Sequence, residues 1–264
     1  MALVGRELVK LLNSGVLFSD YRLVVPLDAA EQEIIVALKG RNLDDFLDLQ
    51  DSTIRRFLVA RNLEVEPTLV MLEAHAKWRR ETLPISLTSG IVAELKKGKA
   101  YHHGLDAAGR PLVVIRSRFF DPKERILDDA LKAVVYQMDE AIKAMPAGQT
   151  QFTMFYDRHG GAPKNLDIGL MKAVIKVLGD NYPERLGGMY VYPAGAAAWL
   201  TWAVLKPFVN PRTGTKVHMI TSAQRLFELI PSEHVTKEHG GNSTFEFNPL
   251  QYKVSPAEVA TSVK

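Results

Sequence analysis

The apolar positions of this chain change period along its length. Leu127, Leu131, Val134, Met138 and Ile142 recur at spacings of three and four, and Pro146 follows. That spacing predicts a helix with one buried face. Met171, Val174, Ile175 and Leu178 repeat the pattern and predict a second helix ending near Gly179. Between and beyond these lie short apolar runs bounded by turn residues: Leu112 to Ile115, Phe152 to Tyr156, Met189 to Tyr192 and Val217 to Ile220. Strand candidates alternating with helices predict an α/β fold with a mostly parallel sheet. Residues 1–85 read as helical, punctuated by Pro26, Asn42, Pro67 and Pro84, with no convincing strand. The organisation is therefore a helical N-terminal lobe (1–85), an α/β domain (86–250) and a tail (251–264) of little periodicity, read as a surface strap or a partly mobile end.

Two stretches break the ordinary pattern. In Asp51 to Asn62, DSTIRRFLVARN, Asp51 is a suitable N-cap and Ile54, Phe57 and Leu58 form an apolar stripe whose next helical position is Arg61. A guanidinium there either reaches solvent at a favourable helix C-terminus or points into a neighbouring domain and meets an anion. Gly195 to Val209, GAAAWLTWAVLKPFV, is a short helix apolar nearly all round, with Thr201 and Lys206 as its polar side chains. It is too short to span a bilayer. Burial in a core is the commoner fate of such a segment; a lid that meets a membrane interface is the other. Trp199 and Trp202, three residues apart, with Lys206 able to snorkel beside them, favour the lid.

Composition limits the chemistry. Thirty-three Lys and Arg against 30 Asp and Glu give a net charge of +3, with no broad field for nucleic acid. The absence of Cys excludes disulfides, thiolate-bound zinc and a cysteine nucleophile, and fits a reducing compartment. No window approaches the roughly 20 apolar residues of a spanning helix. An enzyme would have to draw on the seven histidines, yet there is no Gly-x-Ser-x-Gly elbow, phosphate loop or His-Glu-x-x-His helix. Asp157-Arg158-His159 after a strand reads as turn chemistry more readily than as an acid–base pair. Tyr156 or His159 as an iron ligand leaves haem as an alternative ligand. No other cofactor and no metal are expected.

Charged groups flank the apolar helix: Tyr182-Pro183-Glu184-Arg185 before it and Asn210-Pro211-Arg212-Thr213-Gly214-Thr215-Lys216 after it. Taken singly, these are surface turns, and Lys216 is a solvated strand-end lysine. Taken in order, the segments DSTIRRFLVARNLEVEPTLVMLEAHAKWRR, GLDAAGRPLVVI, NYPERLGGMYVYPAG, KPFVNPRTGTKVHMI and Lys237-Glu238-His239-Gly240-Gly241 resemble the CRAL-TRIO family, specifically its fungal and plant phosphatidylinositol transfer proteins, over roughly Asp51 to Gly241.

The resemblance implies a CRAL-TRIO lipid-binding fold, with a sheet flooring a hydrophobic pocket and the Gly195 to Val209 helix as its movable gate. Trp199, Leu200, Trp202, Leu205 and Phe208 would be the gate and membrane contact. It implies a phosphoinositol headgroup held by Arg61, Glu184, Thr213 and Lys216. There are two departures. Asn62 stands where the family commonly has Lys, which removes a cation. The floor positions that carry small hydroxyls in choline-lipid carriers match Phe152 and Met154, which donate no hydrogen bond, while Thr153 faces the other way on a strand. The expected protein is a cytoplasmic, peripherally membrane-associated monomer and not an enzyme. It would carry phosphatidylinositol or another lipid, such as a sterol or prenyl compound, and touch membranes transiently. A lipid-sensing regulatory scaffold is the remaining alternative.

Overall fold

The computed structural model describes residues 27–40 and 50–255. These form two compact units: the described chain up to Leu83 with Asp180–Arg185, and Pro84–Gly179 with the chain from Leu186 onward.

The smaller unit contains α1 (Ala29–Lys39), α2 (Asp51–Ala60) and α3 (Val65–Thr82). Asp28 and Glu31 close a capping box at the start of α1, each accepting from the other's backbone N–H. Glu31 also pairs with Arg55 at 2.8 Å, with both side chains buried. Ile35, Ile54, Phe57, Leu58, Leu69, Met71, Leu72 and Ala76 form the apolar centre. One expectation for α2 changes. Its N-cap is Gln50, and Asp51 is the first helical residue, drawn to Lys39 by charge. At the other end, Asn62 N–H donates to Val59 O and Leu63 N–H to Leu58 O, while Asn62 takes φ +54. This is a Schellman cap, completed by Leu63 packing against the same apolar centre as Leu58. Asn is the best substitute for Gly in that left-handed position.

The larger unit holds α4 (Ser89–Lys96), β1 (Ala100–Leu105), β2 (Pro111–Arg116), α5 (Leu127–Lys143), β3 (Phe152–Asp157), α6 (Ile168–Asn181, whose last two residues belong to the smaller unit) and β4 (Leu186–Tyr192). It continues with α7 (Ala196–Leu205), α8 (Pro211–Gly214), β5 (Val217–Met219) and α9 (Ala223–Leu229). The sheet order is β1-β2-β3-β4-β5, with β1 antiparallel to β2 and the other pairs parallel. Strand order that follows chain order, joined by crossovers of one hand, puts α5, α6 and α7 on one face. That face carries Val113, Ile115, Phe152, Met154 and Met189 against α5 and α6, and Val191, Val217 and Met219 against α7. The opposite face carries Tyr101, Leu112, Val114, Phe155 and Tyr190 against α9 and the C-terminal residues.

β1 was not expected. It carries His102, His103 and Gly104, pairs irregularly between His102 and Leu105, and buries only its first two residues, so no apolar alternation marks it. The GLDAAGRP segment is its turn into β2. The buried Asp106 carboxylate accepts from Ala108 N–H and Arg110 N–H, from Arg110 Nε at 2.7 Å and from Thr153 Oγ1 at 2.6 Å, and Gly109 takes φ +72. Thr153 therefore does face away from Phe152 and Met154, as strand alternation requires. Residues 251–255 are docked: Tyr252 is buried and accepts a hydrogen bond from Gln137 at 2.8 Å, and Ser255 pairs with Leu87.

Candidate functional site

The α7 helix lies on the Tyr156, Met189, Val217 and Met219 side of the sheet, through Ala198. Its outer side is open: Trp199 is 55% exposed, Leu200 70%, Val204 51% and Phe208 53%. The buried-core reading of this segment is therefore not the one observed. Trp202 is half-buried. Leu205, expected with the membrane-contacting residues, is buried and occupies the inner side of the helix, because an all-apolar helix must still press one face on the protein.

The α6 helix beside it is unusual. Its sequence is IGLMKAVIKVLGDN, yet Leu170 is its only buried residue, and Met171, Val174, Ile175, Val177 and Leu178 remain half-buried. Asp167 starts it, accepting from Leu170 N–H while held by Arg125 at 2.6 and 2.8 Å. Burial opposes that carboxylate's charge, but the Arg125 and Leu170 hydrogen bonds outweigh it and hold its pKa below the usual value. On the facing strands Tyr156, Met189, Val217 and Met219 are also half-buried. Phe152 and Met154, expected as the pocket floor, are 0% and 3% exposed and packed among α5 side chains. The half-buried apolar side chains of this face lie toward β4 and β5. Alternate residues of those two strands, and the near-continuous apolar character of α6, were the sequence signals for it.

At one end of this surface stands Lys216. It is 4% exposed, and its ammonium donates to Leu186 O at 2.8 Å, so it is no solvated strand-end lysine. Thr213 is half-buried in α8, where its carbonyl accepts from Lys216 N–H at 3.0 Å, so the loop fixes both residues together. α8 starts on Asn210, whose side chain accepts from Arg212 N–H. The other two expected headgroup residues, Arg61 and Glu184, belong to the smaller unit. Arg61 is the C-cap residue of α2, half-buried, with one guanidinium N–H directed at Ala60 O. Glu184 sits in the tight Tyr182–Arg185 turn at φ +56, a conformation costing a non-glycine residue about 1 kcal/mol or more. Nearby in the same unit, burial and then the charge of Arg185 lower the Arg56 pKa to about 9, although Arg56 still donates to Ser52 O and Thr53 Oγ1.

Two rival sites resolve into structure. Asp157 and His159 meet through His159 N–H and Asp157 Oδ1 at 2.8 Å, which is turn chemistry. Asp157, Glu238 and His239 form the one grouping with metal-ligand proximity among the described residues. Arg118 already bridges its carboxylates, at 3.5 Å from Asp157 and 2.8 Å from Glu238, so a cation is in place.

A family model described as the CRAL/TRIO domain matches residues 95–241, more than half of the chain. The chain belongs to the CRAL/TRIO family. Among its CRAL/TRIO relatives is the phosphatidylinositol/phosphatidylcholine transfer protein SFH9 of Arabidopsis thaliana. The two are 30% identical over 212 residues, covering 72% of this chain and 37% of that protein. The phosphatidylinositol transfer protein CSR1 of Eremothecium gossypii is 25% identical, covering 76% and 49%. The SEC14 cytosolic factor of the same fungus is 27% identical, covering 82% and 76%. The chain thus spans less than half the length of the first two. The crystal structure of Sfh5 superposes with a TM-score of 0.67 at 16% identity, over 90% of this chain and 97% of that one, and shows the same fold. The Gly-Gly end of the CRAL/TRIO region has a plain structural cause here: Gly240 takes φ +80, and a Cβ on Gly241 would fall 2.1 Å from Val235 O. Among the described residues no helix is long and apolar enough to cross a membrane.

Proposed function

We propose that this protein holds one phospholipid, phosphatidylinositol foremost, and moves it between membranes or presents it to a lipid-modifying enzyme. The acyl chains would lie on the half-open apolar surface of α6, β4 and β5 beneath α7, and the headgroup phosphate beside Lys216 and Thr213. The observation that carries the reading is a buried ammonium at the end of an apolar surface that its own helices leave partly uncovered. Arg61 and Glu184 are headgroup candidates through the family resemblance alone. The relatives' names, transfer proteins and a cytosolic factor, support a carrier over a catalyst and a cytoplasmic place of action.

Burial of an acyl chain of about 16 carbons, at about 0.8 kcal/mol per methylene, makes expulsion into water cost about 12 kcal/mol. Exchange therefore takes place on a membrane, with α7 as the gate. The choline-lipid device has no counterpart at Phe152 and Met154, which are sealed and donate nothing.

The test is mass spectrometry of the lipid that co-purifies with wild type and with Lys216→Glu. Phosphatidylinositol in the first and its loss in the second is the expected result. A ligand indifferent to the change, or a Soret band, would replace phosphatidylinositol with another hydrophobic cargo.

A further inference from the structure

Residues 195–215 are tied firmly at their two ends and held lightly between them. Ala194 N–H donates to Ile220 O at 2.7 Å, and Lys216 O accepts from Met189 N–H at 2.9 Å, so both ends are fixed to the sheet region. Between these ties the turns and caps bond the segment to itself: Ala198 and Trp199 N–H to Gly195 O, Val209 N–H to Lys206 O and Gly214 N–H to Asn210 O. Ala198 and Leu205 are buried in α7, while the turn Lys206–Phe208 and α8 bury no residue. A segment so held can swing outward about its tied ends.

One side chain of α6 reaches across to it. The Lys172 ammonium stands 4.1 Å from the centre of the exposed Phe208 ring. Lys172 is half-buried, and among the described residues no carboxylate lies within ion-pair distance of it. Neither 168–179 nor 195–215 contains an Asp or Glu that could draw the ammonium away. A cation over an aromatic face is attracted by the ring quadrupole, and at a partly exposed site this shifts an equilibrium by about two- to fivefold. Such a factor is negligible for the stability of the unit but not for a cover that buries two side chains.

We propose that Lys172 and Phe208 form a latch that keeps the gate shut in water and lets go at a membrane. The proposal rests on the gate part of the reading above and adds the contact that governs its opening. In water, swinging the segment outward returns ammonium and ring to solvent and forfeits their attraction. At a bilayer, Phe208 enters the interface with Trp199 and Leu200, and the ammonium pairs with a lipid phosphate, so both partners are compensated.

The test is backbone amide exchange of residues 196–208, because a ten-residue helix released from the protein does not persist in water. Wild type, Lys172→Arg, Lys172→Gln, Phe208→Leu and the Lys172→Gln/Phe208→Leu pair are compared, and the bound lipid of each is identified by mass spectrometry. In buffer, Lys172→Gln and Phe208→Leu should each speed exchange about two- to fivefold, with α5 unchanged. The pair should be no faster than either variant alone, since both remove one contact, and Lys172→Arg should match wild type. With phosphatidylcholine vesicles present, the difference between wild type and Lys172→Gln should vanish. Wild-type exchange in Lys172→Gln, effects that multiply in the pair, or a difference that survives on vesicles overturns the proposal. The same pattern in a protein that carries no phospholipid would sink the cargo reading and leave the latch standing.

Discussion

Helices α5 and α6 cross over the same face of the same sheet, α5 amphipathic and α6 apolar over most of its length, yet the more apolar of the two is the less buried. α5 buries Ala130, Ala133, Val134, Val135, Gln137, Met138 and Ala141, and α6 buries Leu170 alone. Under α5 the sheet is sealed at Phe152 and Met154, whereas beside α6 and α7 the side chains of Met189, Val217 and Met219 stay within reach of water. One half of the face is a core in the ordinary sense. The other has the composition of a core and the accessibility of a surface, as the proposed lipid site requires.

The largest expected effect separates the two halves. Phe152→Ala removes a fully buried ring among α5 side chains and should cost about 3–5 kcal/mol in chemical denaturation. Val174→Ala on α6 removes a half-buried group and should cost about 1 kcal/mol or less in lipid-free protein. Equal costs would mean that α6 is packed as tightly as α5, and the comparison would fail.

A proton probes closure in the smaller unit. His75 is 6% exposed, with Nδ1 at 3.2 Å from Asn181 Oδ1 and its ring stacked on Trp78. Burial, against the Asn181 hydrogen bond and aided by Arg79 and Arg56, lowers its pKa from 6.5 to about 4. The unfolded chain therefore binds the proton more tightly than the folded one. Stability from the neutral ring is fully present above pH 6.5 and is lost as pH falls through 4, by about 3 kcal/mol. Trp78 fluorescence during denaturation at several pH values measures it, and His75→Gln should flatten the slope. An unchanged slope would show that the ring is open to water.

The sequence carried the alternation of strands and helices because both halves of the sheet use the same apolar code. It placed α5, α6, α7 and the four parallel strands, and it missed β1, whose polar histidines and bulge erase the period-two signal. What it could not carry is which apolar residues are covered. Phe152 and Val174 look alike in a pattern of hydrophobic positions, and only packing distinguishes the sealed one from the open one. Lys216 was legible through its resemblance to a headgroup lysine, but its burial was not, since a lone lysine after a turn is ordinarily solvated. Asn62 read as a missing cation, while the fold uses it as a left-handed helix cap.

The smallest effect concerns the gate and is seen in rate. If the open half of the face is a lipid site, α7 must leave it on a membrane, and its exposed Trp199 and Leu200 supply the apolar contact that compensates for exposing Ala198 and Leu205. Trp199→Ala with Leu200→Ser should slow transfer of a fluorescent phosphatidylinositol between vesicles by about tenfold, equivalent to about 1.4 kcal/mol. The fraction of protein loaded at equilibrium should change by less than about twofold, because these side chains face away from the sheet. Slowed transfer with unchanged loading makes the open half a site with a membrane-triggered gate. Unchanged transfer would leave α7 as a fixed cover, and the uncovered side chains of α6 would then mark the path by which lipid enters.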